Sequence, residues 1–153
     1  MADLTITREI VIEAPVEVVW RTITEPDQIA LWFADRVDVD IRPGAAGTLV
    51  FEDKATAEAV SAAVVVDAVE PPHRFSFRWG APEGETPVPG NSALAEFTLI
   101  AEAGDRTRLR VSETGLDGLP WPDEEKARYA EDHRDGWRIH FGRLGALLGS
   151  PAG

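Results

Sequence analysis

Apolar residues at Ala130, Trp137, Phe141, Leu144 and Leu148 fall at the three-, four- and seven-residue spacings of one helical face. The pattern predicts a long amphipathic helix from Pro122 to Leu148. Asp123, Glu124 and Glu125 crowd its start and Arg138 and Arg143 lie toward its end, the arrangement that complements the helix dipole. Gly149 and Pro151 stop it. Gly136, Gly142 and Gly145 cost helix stability, so some of them are expected where a sheet or a ligand comes close.

Before this helix the period is mostly two. Leu4, Ile6, Arg8, Ile10 and Ile12 alternate with mainly Thr and Glu, which predicts a half-buried strand with Arg8 on its inner side. Ala14-Pro15 ends it, and Val16, Val19, Trp20 and Ile23 form the apolar side of a short helix. Glu25-Pro26-Asp27 opens a second short helix with Ile29, Trp32 and Phe33 on its apolar side. A hairpin follows: Val37, Val39 and Ile41, a turn over residues 42–47, then Leu49 and Phe51. A second turn around residues 53–56 leads into the apolar run Ala59 to Val69. Phe75, Phe77 and Trp79 share one strand face, so three rings project in one direction. Residues 80–91, rich in Pro and Gly, predict a long connection of functional length. Phe97 and Leu99 form the next strand, and Leu109, Val111 and Glu113 the last, with Glu113 on the apolar side.

The predicted order is one strand, two short helices, six strands and a long helix. Consecutive strands imply an antiparallel sheet, and one helix covers only one of its faces. A seven-stranded sheet twists and curls around such a helix. If it curls far enough, a cavity remains between sheet and helix.

Composition narrows the function. The 153 residues, 44% hydrophobic, suffice for one domain over residues 1–153 with its own core. The chain has no cysteine, which removes disulfides, thiolate nucleophiles and Cys-ligated metal. A formal net charge of -12 makes nucleic acid a poor partner. Arg106, Arg108 and Arg110 alternate on one strand and read as a solvated face paired with carboxylates. The sequence shows no signal peptide and no apolar run near the roughly 20 residues of a membrane span, so a cytoplasmic location without membrane contact is expected. His133 and His140 lack the third ligand and the spacing of a metal site, and no phosphate-binding glycine loop or nucleophile elbow is present, so neither metal nor cofactor is expected.

The segment from Ala14-Pro15 through Val19-Trp20 and Thr24-Glu25-Pro26 to the pair Trp32-Phe33, with Gly136-Trp137 and Leu144 on the last helix and Glu113-Thr114-Gly115-Leu116 at the end of the last strand, resembles the START-like or SRPBCC superfamily. Within it the chain looks most like the AHSA-type family, homologous to the activator of the heat-shock protein ATPase. The resemblance covers nearly the whole chain and implies an α+β helix-grip fold. The superfamily includes lipid carriers, hormone receptors and polyketide cyclases, so the fold does not select one activity.

The rings of Trp32, Phe51, Phe75, Phe77, Trp79, Phe97, Trp137 and Phe141 either line a pocket for an apolar or aromatic ligand or pack as core. Trp20, Trp32 and Phe33 are expected to pack the short helices, with Trp32 and Phe33 placed to rim a mouth. Glu113 and His140 are the polar groups for such a pocket; Glu113 serves as an acid or base, or pairs with Arg8 as an ion pair. Three functions follow. The first is intracellular binding of a small hydrophobic or aromatic ligand, with no catalysis needed and a homodimer left open. The second is an enzyme of the cyclase or dehydratase kind, moving a proton through Glu113 or His140. The third, implied by the family resemblance, is a co-chaperone-like protein-binding module.

Overall fold

The computed structural model describes residues 4–53 and 58–149. Strand β1 (Ile6–Ile12) leads into helices α1 (Val16–Thr24) and α2 (Pro26–Ile29). Strands β2 (Arg36–Asp38), β3 (Ala46–Asp53), β4 (Glu58–Glu70), β5 (Arg74–Trp79), β6 (Ala93–Glu102) and β7 (Arg106–Thr114) follow, and α3 (Asp123–Leu148) closes the chain. The strands form one antiparallel sheet of seven in the order β1-β7-β6-β5-β4-β3-β2. Its register shifts at Val66/Ala68, a bulge that sharpens the curl. The helix-grip architecture implied by the sequence is therefore present: a curved antiparallel sheet, two short helices and a long last helix on its inner face.

The predicted long helix matches almost to the residue. Ala130, Trp137, Phe141 and Leu144 are buried, and Gly149, at a φ of 99°, ends it. Inward residues of four strands meet that stripe: Ile6 and Ile12 from β1, Phe75, Phe77 and Trp79 from β5, Phe97 and Leu99 from β6, and Leu109 and Val111 from β7. On the outer face Arg106 reaches Glu13 at 3.1 Å, and Arg108 reaches Glu9 at 2.7 Å and Glu102 at 2.9 Å, the solvated pairing expected of this face, while Arg110 is exposed and makes no ion pair among the described residues.

Three details differ from the sequence expectation. Arg8 is exposed although it alternates in phase with Ile6 and Ile12. Strand β1 lies at the sheet edge, where a long cationic side chain gets its head past the edge into water. Helix α2 stops at Ile29, which leaves Trp32 and Phe33 in the turn beyond it. Strand β2 stops at Asp38, short of Val39 and Ile41. There the chain presses against Gly47, where any Cβ would collide with the Asp38 carbonyl and Val39. Between β7 and α3, residues 115–122 contain a 3-10 turn, Leu116–Gly118, that buries Leu116. The turn expected over residues 53–56 falls largely outside the described residues.

The interior departs from the expected hollow. Phe33 points from its turn into the space between sheet and helix and is only 5% exposed. It stacks on Trp137, with centroids 5.3 Å apart and planes 4° from parallel, and touches the rings of Phe51, Phe77 and Trp79. What remains among Ile23, Trp32, Val39, Leu49, Val66, Phe75 and Phe97 is a void of about 20 Å³, room for about one water molecule.

Candidate functional site

Glu113 ends the inward row of β7 and is 0% exposed, the one carboxylate among the largest fully buried side chains. Four groups converge on it. The indole N–H of Trp137 donates to Oε1 at 2.9 Å, and the indole N–H of Trp79 donates to Oε2 at 3.1 Å. The Tyr129 hydroxyl donates to Oε2 at 2.6 Å, and His133 Nδ1 lies 2.9 Å from Oε1. Indole nitrogens can only donate, so both oxygens of Glu113 are engaged as acceptors. The carboxylate form satisfies all four contacts at once, with His133 donating through Nδ1–H.

The helix supplies three of these groups at four-residue steps. Tyr129, His133 and Trp137 lie one turn apart on the face turned toward the end of β5 and β7. Gly80 makes the approach possible: its φ is +85°, and a Cβ there would sit 2.9 Å from the Tyr129 hydroxyl oxygen. Tyr129 also stacks on His133, with centroids 3.7 Å apart, and Trp79 meets the same imidazole edge-on at 5.1 Å. Burial, followed by the charge and hydrogen bond of Glu113, pushes the Tyr129 hydroxyl well above the usual phenol range. It stays a donor.

Beside this cluster a cleft of about 220 Å³ opens to solvent. Its apolar walls are Phe51, Trp79 and Trp137; Gly136 contributes bare helix backbone, and His133, His140 and Asp132 are its polar groups. The volume exceeds the roughly 150 Å³ of an apolar cavity that holds benzene. A Cβ at Gly136 would meet nothing closer than His140 Nε2 at 4.0 Å, so this glycine enlarges the cleft without being required by packing. His140 packs edge-on against Phe33 at 4.8 Å. Its buried Nδ1 has no hydrogen-bond partner among the described residues. Desolvation pulls the His140 imidazole down to about 4, against an opposing effect of the Trp32 backbone and with smaller help from Arg143 and His133, so the ring is neutral at pH 7.

The ten residues expected to bind ligand thus separate. Phe51, Trp79, Trp137 and His140 line the cleft, and Glu113 lies behind it as the acceptor that holds two of its walls. Trp32, Phe75, Phe77 and Phe97 border only the small void, and Phe141 packs against Trp32, Phe97 and Trp137. The Arg8–Glu113 pair does not form, because the partners of Glu113 are two indoles, a phenol and an imidazole. Sequence reasoning missed Tyr129, His133 and Asp132 as site residues. The signal for the first two was the four-residue spacing Tyr129, His133, Trp137 opposite a carboxylate on an apolar strand face. A wider groove of about 740 Å³ between β4 and residues 80–84 has walls of mostly Ala, Gly and Pro, with no ring and no convergent polar groups beyond Thr48, Ser61 and Glu83. Among the described residues no cluster of metal-ligating side chains occurs and no helix is long and apolar enough to cross a membrane.

The protein MLL2253 of Mesorhizobium loti is 24% identical, with 94% of this chain and 96% of that chain covered and a TM-score of 0.73. Ms6760 of Mycobacterium smegmatis is 25% identical, covering 95% of this chain and 90% of that one with a TM-score of 0.74. DynU16, a putative protein in the dynemicin biosynthetic locus, is 28% identical over 98% of this chain, which spans 49% of its length, with a TM-score of 0.72. No curated protein matches the sequence. Residues 13–149 match the family described as Activator of Hsp90 ATPase homolog 1-like protein. That match takes in every element from the end of the first strand to the cap of the last helix, and the chain belongs to this family.

Proposed function

We propose that the protein binds a small aromatic or apolar molecule of one or two rings in the cleft beside Glu113. The observation that carries this reading is an open space of about 220 Å³ walled by Phe51, Trp79 and Trp137, whose indoles are fixed in place by a buried carboxylate. Walls held this way cost little ordering when a ligand packs beside them. The cleft is smaller than the roughly 300 to 1,000 Å³ of pockets for drug-sized ligands, which argues for a compact guest rather than a lipid chain. DynU16 carries a name tied to a biosynthetic locus, which suits a small-molecule role for this half-length relative.

Proton transfer by Glu113 itself is less well supported, because four protein groups already occupy its oxygens. A protein-binding role has no comparable feature in its favour. Of the exposed large apolar residues, Leu31, Val60, Val88 and Ile100 sit on separate segments of the chain, and only Ile139 and Leu147, two turns apart, share an element, α3.

Titration with indole and naphthalene, followed by tryptophan fluorescence and melting temperature, tests the reading. Binding with a rise in melting temperature is expected, and its loss in Gly136→Leu, which fills the cleft. Equal binding by this variant, or no binding by the parent chain, overturns it.

A further inference from the structure

The polar groups around the cleft are unusual in sign. Asp132 offers only acceptors, Glu113 stands behind the wall as a second carboxylate, and the lining contains neither Lys nor Arg. Arg143, whose charge reaches His140, is exposed and outside the lining. His133 is the group best placed to meet a ligand. Its Nδ1 is committed to Glu113, its ring is clamped between Tyr129 and Trp79, and its side chain is 24% exposed at the cleft. In the neutral imidazole, Nδ1–H donating to Glu113 leaves the remaining nitrogen, Nε2, with its lone pair. Nε2 has no protein hydrogen bond among the described residues.

Resting on the cleft reading above, we infer that the ligand is an aryl alcohol, a phenol or naphthol whose hydroxyl donates to His133 Nε2 while its ring lies against Phe51 and the accessible edge of Trp79. A phenol suits this site wherever the proton resides. With neutral His133 it donates O–H to Nε2; with the proton moved to the imidazole, the phenolate accepts from Nε2–H and the charge of Glu113 steadies the imidazolium. An aryl carboxylate instead brings a third negative charge beside Asp132 and Glu113 in a chain of net charge -12, with at most one imidazolium to meet it. A plain hydrocarbon fills the volume but leaves Nε2 without a donor.

The full chain is titrated at pH 8 with 2-naphthol, naphthalene and 2-naphthoate, following affinity and the ring ¹⁵N resonances of His133. The expected result is 2-naphthol binding about tenfold tighter than either analogue, the worth of one hydrogen bond, with His133 Nε2 shifting for 2-naphthol and not for naphthalene. In His133→Phe the preference for naphthol over naphthalene is expected to fall below about twofold, as loss of one hydrogen bond requires. The ¹⁵N measurement on the unmodified protein keeps the test intact if that variant does not fold. Naphthalene or 2-naphthoate binding as tightly as 2-naphthol, or an Nε2 resonance that does not respond, overturns the aryl alcohol assignment and leaves cleft binding standing. Failure of all three compounds to bind removes the cleft reading as well.

Discussion

At the residue scale the decisive group is Glu113, a carboxylate with no arginine or lysine among its partners. Four hydrogen bonds offset the cost of burying it, so its partners depend on it as much as it depends on them. Glu113→Gln puts an NH₂ group where two donors need an acceptor. Leaving buried donors unpaired costs about 1 to 3 kcal/mol each, so a loss of about 2 to 4 kcal/mol is expected in urea unfolding. His140 adds a pH dependence of its own. Its folded value of about 4 lies below the ordinary 6.5, so the unfolded chain takes up a proton first as pH falls. Its contribution to stability is therefore complete above about pH 6.5 and is lost as pH falls toward 4, up to about 3 kcal/mol at 1.36 kcal/mol per unit of displacement. His140→Gln should flatten that part of the stability profile, measured by urea unfolding at pH 7, 6, 5 and 4.

At the scale of the element, α3 does two things with one face. Trp137, Phe141 and Leu144 close the core, while Tyr129, His133 and Trp137 bind Glu113. Trp137 belongs to both sets and is 1% exposed, so Trp137→Ala should cost about 3 to 5 kcal/mol, in the upper part of that range because Glu113 also loses a donor. Ile139→Ala, on the exposed side of the same helix and 46% exposed, serves as the control and should shift the urea midpoint little. This helix was legible in the sequence because its period is long, its first turn is acidic and Gly149 marks its end. Strands β1, β5 and β7 were legible because alternation sustained over five or more residues fits a half-buried strand and little else, and that same alternation put Glu113 inside. Arg8 followed the alternation too, but strand order is not written in the period of a single strand, and its place at the edge decided its exposure. Tyr129 and His133 were not picked out because a ring pair on a helix acquires meaning only when β5 and β7 bring Trp79 and Glu113 opposite.

At the scale of the whole molecule, a curved sheet around a helix encloses space that something must fill, and here one side chain from a turn fills most of it. Phe33 follows the short α2 and has no periodicity to announce its direction, which is why the sequence pointed to a larger hollow than the structure contains. The ring touches the sheet through Phe77 and Trp79 and the last helix through Trp137, so it joins the two layers where they would otherwise part. Phe33→Ala should therefore create a void between sheet and helix continuous with the cleft at Phe51, Trp79 and His140, all of which Phe33 contacts. Truncating a buried Phe costs about 3 to 5 kcal/mol when the surroundings do not collapse. An apolar void of that kind stays dry and accepts a small aromatic guest. The expected outcome is a lower melting temperature that naphthalene restores in part, by a larger increment than it gives the parent chain. A melting temperature lowered equally with and without naphthalene would mean that the layers close over the gap, and that the hollow interior suggested by this fold needs more than the removal of one plug.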